Sequence, residues 1–353
     1  MSAITTLDSL MERVVDEERR NYDLLADTRR MSLGLAEHDL VLDIDGEGGE
    51  TESFFLNDHT LSQMSTDLGI PMRYFKRMRE ADFDLLRTNV HYWLYQEPAR
   101  RMIRSKRNDG GGLTARAWLS DRYRRIDNIE IATKLLPEFA RLGTDVKFHN
   151  AALTDTRFYL RATFPAMEKA VKLGDPVRWG IQIRNSEVGA GQFDISNFVL
   201  RLACTNGMVV QKVMSARHVG KRLGENLSDE AIVADDTAFW LAARDELRAS
   251  LHPARFEEAL EVLQGTTEGA RIEHPTRATE RLAKAYSLSE DEREAVLLQL
   301  ATGGDMTRWG ALNAVTAAAK SIESFDRRVE MEELGWTLAS LPEREWSRLA
   351  VAA

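Results

Sequence analysis

Apolar residues recur with two different periods along this chain, and the change of period divides it. Near the N-terminus Leu7, Leu10, Met11, Val14 and Val15 fall at helical spacing, which predicts a helix over residues 1–35. Val41-Leu-Asp-Ile44 and Ser53-Phe-Phe-Leu56 flank Asp45-Gly-Glu-Gly-Gly49 and predict a hairpin with a glycine-rich tip. Thr60-Leu-Ser-Gln63 reads as a capping box that opens a short helix. Gly69-Ile-Pro71 ends that helix and begins another, running through Tyr74, Met78 and Leu85 towards Trp93.

From about residue 100 the period becomes two. Thr114, Arg116, Trp118, Ser120 and Arg122 share one face of a strand. Arg157, Tyr159, Arg161 and Thr163 stand opposite Phe158, Leu160, Ala162 and Phe164; Arg178, Gln182 and Arg184 stand opposite Val177, Trp179, Ile181 and Ile183. In the next run Phe198, Leu200, Leu202 and Cys204 oppose Asn197, Val199 and Arg201, and Asn206-Gly207 predicts a two-residue turn into Met208-Val-Val-Gln-Lys-Val213. A helix over Ile129 to Leu142 interrupts the strands and packs beneath them.

After about residue 226 the pattern is helical, with starts at Ser228, Ser289 and Thr307 and the stripe Trp309, Leu312, Val315, Ala319, Ile322. The expected fold class is α+β: an antiparallel, arginine-lined central sheet with helices on one face and a helical C-terminal region. The expected parts are an N-terminal helix over 1–35, an α+β core with the basic sheet over 36–225, and the helical region over 226–353.

At 353 residues, with 43% apolar and 29% charged, the composition is that of an ordinary globular chain of about two domains. No apolar run is long enough for a membrane span, and the acidic, amphipathic N-terminus is not a signal peptide. Cys204 stands alone, which excludes an internal disulfide and a thiolate-rich zinc site and fits a reducing cytoplasm. On the apolar side of its strand it is expected to be a buried, inert thiol.

Charge changes this picture more than composition does. Residues 1–100 carry 11 Lys+Arg against 20 Asp+Glu; residues 101–222 carry 22 against 11; residues 223–353 carry 14 against 25. The formal net charge of −9 therefore conceals a basic centre between acidic ends. Such a centre is either a face for a polyanion or the docking partner of the chain's own acidic parts. Strands that offer arginines and interleaved rings match the way single-stranded nucleic acid is held, with cations on phosphates and rings on bases. The candidate binding residues are Arg104, Lys106, Arg107, Arg116, Arg122, Arg124, Arg157, Tyr159, Arg161, Arg178, Arg184, Arg201, Lys212, Arg217, His218, Lys221 and Arg222, with Trp118 as a second ring. The same arginines would also serve a merely wet sheet face, or one covered by acidic C-terminal helices.

Enzyme and metal signatures are missing. The carboxylates Asp43, Asp45, Glu47 and Glu50 do not make a calcium loop, because its twelfth position is Phe54. His218 has no second ligand at metal spacing, and His252 and His274 each precede a proline in a loop. There is no phosphate-binding glycine loop, no nucleophile elbow and no H-E-x-x-H helix. No metal and no cofactor is expected, and catalysis is not the leading reading.

Leu202-Ala-Cys-Thr-Asn-Gly-Met208, followed by Ser215-Ala-Arg-His218, resembles the phage- and plasmid-associated family known as domain of unknown function 932. Leu61 to Trp93, Ser120-Asp-Arg-Tyr-Arg-Arg-Ile-Asp-Asn128 and Trp309-Gly-Ala-Leu-Asn-Ala-Val-Thr316 fit the same resemblance, which spans roughly residues 40–335. The resemblance implies association with mobile DNA and assigns no reaction or catalytic residue. Its mixed sheet-and-helix core is reminiscent of single-strand annealing proteins, a likeness of fold alone. Three expectations follow. The first is a DNA-binding protein of a mobile element that favours single strands, takes part in annealing or recombination and can self-associate. The second is a regulatory or structural partner of other phage or plasmid proteins. The third is an enzyme acting on nucleic acid.

Overall fold

Where the apolar period is two, the chain builds two sheets. A computed structural model describes residues 7–141, 145–216 and 229–351. Helix α1 (Leu7–Arg20) stops earlier than its pattern predicts, because from Asn21 the chain is a strand, β1 (Asn21–Asp27), paired along its length with β5 (Arg100–Arg107). Tyr22, Leu24 and Ala26 supply the alternate apolar positions that this strand needs. A short 3₁₀ turn capped by Asp27 leads to β2 (Met31–Ala36), and β3 (Asp39–Asp45) with β4 (Thr51–Leu56) forms the expected hairpin.

Three helices follow. Asn57, not Thr60, caps α2 (Asp58–Asp67); the Thr60 hydroxyl instead donates to Asn57 Oδ1 and to the Ala115 carbonyl. The single helix expected towards Trp93 is two, α3 (Met72–Ala81) and α4 (Phe83–Gln96). Asp82 between them is extended, at φ −161°, and its carboxylate accepts from the amides of Asp84 and Leu85, which starts a new helix. With β6 (Leu113–Ser120) the first sheet has the order β1-β5-β6-β4-β3-β2, antiparallel except for β4 beside β6. Its core joins Phe54, Ile103 and Trp118 to Phe75, Met78, Leu86, Val90 and Leu94 of α3 and α4.

Helices α5 (Asn128–Lys134) and α6 (Leu136–Arg141) lead to the second sheet, whose five strands are antiparallel and adjacent in chain order. They are β7 (Lys147–Leu153), β8 (Phe158–Lys172), β9 (Asp175–Asn185), β10 (Phe193–Arg201) and β11 (Asn206–Ala216). One apolar cluster packs Phe158, Leu160, Ile181, Ile183, Phe193 and Ile195 against α1, α5, α6 and α7 (Asp229–Ala249). A second gathers Trp179, Val199 and Met208 with Trp309, Leu338 and Trp346. It is built by the C-terminal helices α8 (Pro253–Gly265), α9 (Pro275–Tyr286), α10 (Glu290–Gly303), α11 (Arg308–Ala318), α12 (Phe325–Ala339) and α13 (Glu343–Ala350).

The fold class is α+β with antiparallel sheets and a helical C-terminal region, as expected. The strands expected to form one central sheet are divided, however: β5 and β6 complete the N-terminal sheet, and only β7 to β11 form the arginine-lined one. Ser289 and Thr307 cap α10 and α11 as read from the sequence, while Ser228 lies outside the described residues. His252 and His274 occupy the cap positions of α8 and α9. The turn between β10 and β11 is Leu202 to Thr205, and Asn206-Gly207 already belongs to β11. Gly207 is needed for closeness rather than for a turn, since a β-carbon there would sit 3.0 Å from the Arg161 guanidinium.

Candidate nucleic-acid interface

The β8–β9 register places Tyr159 opposite Arg184 and Arg161 opposite Gln182. Directly paired residues share a face. One face of the second sheet therefore carries Arg157, Tyr159, Arg161, Arg178 and Arg184, with Phe158, Leu160 and Ile183 behind it. Arg201 departs from this arrangement. Its partner is Val177, and Val199 pairs with Trp179, so β10 shows its Arg201 side to the Trp179 face. Strand β10 alternates as its sequence predicts but in the opposite phase relative to β8 and β9, which exchanges every side chain of the strand.

Alternation and local charge predict an exposed arginine face; in the fold it is covered. Arg161 is 4% exposed, donates to Gln182 Oε1 at 2.7 and 2.6 Å, and pairs with Glu332 of α12. Its guanidinium lies 5.5 Å over the Phe198 ring, and that ring sits over Gly180 of β9, where a β-carbon would meet it at 2.4 Å. Arg184 pairs with Asp194 at 2.6 Å and with Glu333 of α12 at 3.0 Å. Burial alone would lower the Arg184 pKa, but these two carboxylates outweigh it and raise it. Arg157 pairs with Asp326 at 3.4 Å, and the Tyr159 hydroxyl donates to the same carboxylate at 2.6 Å. Tyr159 is fully buried, its ring 4.7 Å from Phe325. Burial, and then donation to Asp326, push its phenol pKa well above the ordinary range. Arg178 pairs with Glu168 at 2.8 Å, and Lys212 lies 3.8 Å from Asp194.

Asp326 and Glu333 are seven residues apart, two helical turns, so α12 presents both to the sheet with Glu332 beside them. Met331, Leu334 and Leu338 tie the same helix into the apolar core. The acidic helix is therefore a built part of the fold.

On the other face Arg201 grips Asp175 through two bonds of 2.6 and 2.7 Å, and Trp309 Nε1 donates to Asp175 at 2.8 Å. Burial alone would raise the Asp175 carboxyl; the bonds from Arg201 and Trp309 hold it below the ordinary range. Cys204, expected to be buried, is exposed in the turn, its Sγ 3.6 Å from Arg201.

The candidates of the first sheet join the two sheets. Arg104, 1% exposed, pairs with Asp127 at 2.7 Å and Asp23 at 3.1 Å and donates to the Glu187 carbonyl. Arg116, 6% exposed, pairs with Glu187 at 3.2 Å and donates to Asn21. A bulge at Arg104/Ser105 leaves Arg116 without a partner in the ladder and flips the phase beyond it. Trp118 consequently leaves the arginine side for the core, with its Nε1 on Asp67 at 2.9 Å. Arg124 pairs with Asp236 at 2.8 Å. Arg107 lies 4.8 Å over the Tyr22 ring, and Lys106 offsets part of the rise that burial gives the Glu17 carboxyl. Arg122 is exposed; Arg217, His218, Lys221 and Arg222 lie outside the described residues. Both rings proposed to stack bases, Tyr159 and Trp118, are buried.

Free cations lie elsewhere. Arg73, Lys76 and Arg77 on α3 are exposed, and their side chains have no hydrogen bond or ion pair among the described residues. A regional charge count hides them, because residues 1–100 are acidic as a whole. The run Met72-Arg-Tyr-Phe-Lys-Arg-Met-Arg79, free of acids, is the signal that could have found them.

No helix among the described residues is long and apolar enough to cross a membrane. No curated protein and no solved structure is detectably similar to the chain. A family described as domain of unknown function 932 matches residues 117–333, which takes in Ser120–Asn128, Leu202–Met208 and Trp309–Thr316 but not α3 and α4. Since that match spans more than half of the sequence, the chain belongs to the domain of unknown function 932 family.

Proposed function

We propose that the protein is a non-enzymatic DNA-binding protein of a phage- or plasmid-type mobile element, acting in the cytoplasm on single strands in annealing or recombination. The observation that carries this reading is the set of unpaired cations on α3, Arg73, Lys76 and Arg77. The sequence resemblance to a phage- and plasmid-associated family supports the mobile-element setting. The arginine sheet is not offered as the contact surface, since Arg157, Arg161, Arg178, Arg184 and Arg201 each have an acidic partner.

Titration of the purified chain against labelled single- and double-stranded DNA over a range of salt tests the proposal. Three phosphates neutralised by α3 predict a slope of log K against log salt near about −2 on a single strand, at about −0.7 each. No detectable binding at about 50 mM salt, by protein verified as folded, overturns it. The second reading, a regulatory or structural partner of other phage or plasmid proteins, is favoured by one observation: α12 covers the arginine face with Asp326, Glu332 and Glu333.

A further inference from the structure

Helix α4 buries one row, Leu86, Val90 and Leu94, half-buries Phe83, Asn89 and His91, and exposes its other residues. The N-terminal half of that exposed surface carries the polar Asp84, Arg87 and Thr88, but the C-terminal end is aromatic. Tyr92 is 53% exposed, Trp93 37% and Tyr95 55%, and Tyr74 on α3 is 46% exposed. Scattered exposed apolar residues need no explanation, but rings gathered on two adjoining helices do. Six rings elsewhere have their polar ends occupied: Tyr22 donates to Glu52, Tyr159 to Asp326, and Trp118, Trp179, Trp309 and Trp346 each donate to a protein oxygen. The four rings of α3 and α4 have no such partner among the described residues.

The topology puts them at the same end of the α3–α4 pair. Helix α2 ends with Asp67 on Arg101 and Trp118, and α3 starts five residues later. Helix α4 ends with the Leu94 carbonyl on Thr28, whose amide donates to Ala99 beside β5. Arg101 and Ala99 mark the same end of β5, so Tyr74 in the first turn of α3 and Tyr92 to Tyr95 in the last turn of α4 stand at one end of the pair. Tyr92 and Trp93 meet edge to face, 5.1 Å apart at 85°. Such a contact holds both rings in place and occupies one face of one of them, leaving the other faces available. The cations Arg73, Lys76 and Arg77 lie on the same helix as Tyr74.

We infer that the outer face of α3 and α4 is a single-strand site, with bases stacking on Tyr74, Tyr92, Trp93 and Tyr95 and phosphates met by Arg73, Lys76 and Arg77. The inference rests on the nucleic-acid reading above and gives it a place. Unpaired cations complement phosphates, and exposed rings complement bases that a duplex would keep stacked within itself. In a chain of net charge −9, a polyanion is admitted only where cations are locally unopposed, and α3 has four cations against the single acid Glu80.

The test uses the full chain and a fluorescent 20-nucleotide thymidine homopolymer, with the matching duplex as comparison. Tyr92→Ala and Tyr95→Ala should each weaken binding by about five- to a hundred-and-fifty-fold with the salt slope unchanged, because stacking releases no counterions. The triple change Arg73→Ala, Lys76→Ala, Arg77→Ala should make the slope shallower by about 2. All these side chains are exposed, and circular dichroism checks that the variants fold. If the wild type binds and every variant binds equally well, the site is elsewhere and the inference fails while the nucleic-acid reading stands. If the wild type binds no DNA, both fail. If Tyr92→Ala instead dissociates a dimer seen by sedimentation and leaves DNA affinity unchanged, the face belongs to a second copy and the inference is overturned.

Discussion

The second sheet and the α3–α4 pair both present cations and rings, yet they end in opposite states. On the sheet, the face carrying Arg157, Arg161 and Arg184 meets Asp326, Glu332 and Glu333 of one helix from 149 to 171 residues further along the chain, and Tyr159 is sealed beneath Phe325. On α3, Arg73, Lys76 and Arg77 face water beside Tyr74. The sheet lies in the most basic stretch of the sequence and α3 in an acidic one. Surface charge is therefore decided by which carboxylates the fold delivers, and neighbours in sequence are a poor guide to those.

The comparison breaks most sharply at Arg161. Removing one partner of a buried pair strands the other charge in the interior, so Arg161→Ala and Glu332→Ala should each cost about 3–5 kcal/mol in urea denaturation. Replacing both, with Arg161→Met and Glu332→Leu, should recover most of that loss. A single-variant cost below about 0.5 kcal/mol would show the pair to be as weak as a surface one.

Asp175 tests the same idea through pH. Its carboxyl is held below the ordinary range in the folded protein, so its ion pair stabilises the fold above the unfolded value, about 3.9, and that contribution is lost as pH falls through the folded value. Asp175→Asn should cost about 1.5–3 kcal/mol at neutral pH, and the gap to the wild type should narrow below about pH 4. Thermal melts between about pH 2 and pH 7 read both effects, and a gap independent of pH contradicts the assignment.

Smaller still is Tyr159→Phe, which removes one bond to Asp326 and should cost about 0.5–1.5 kcal/mol without altering DNA affinity. Smallest in stability is the α3 triple alanine change, within about 0.5 kcal/mol by denaturation, because these exposed side chains make no hydrogen bond or ion pair among the described residues.

Alternation made β8 and β9 legible, down to which arginines share a face, and capping residues located α10 and α11. Four features lie beyond the sequence for definite reasons. A bulge at Arg116 and the phase of β10 depend on pairing, which a single strand does not encode. The covering of Arg161 depends on a helix distant in sequence. The early end of α1 was hidden because Leu24 and Leu25 fit a helix as well as a strand until β5 is there to pair with them. At the candidate site the cations of α3 were readable as a local run, but only solvent exposure distinguishes Arg73 from Arg161.

Arginine labelling with phenylglyoxal, read by mass spectrometry with and without a thymidine homopolymer, tests that distinction directly. The predicted result is rapid labelling of Arg73 and Arg77 in the free protein, protection of both by the single strand, and no labelling of Arg161 or Arg184 in either state. Ready labelling of Arg161 and Arg184 that the single strand suppresses, with Arg73 and Arg77 unaffected, would contradict it and return the binding face to the sheet.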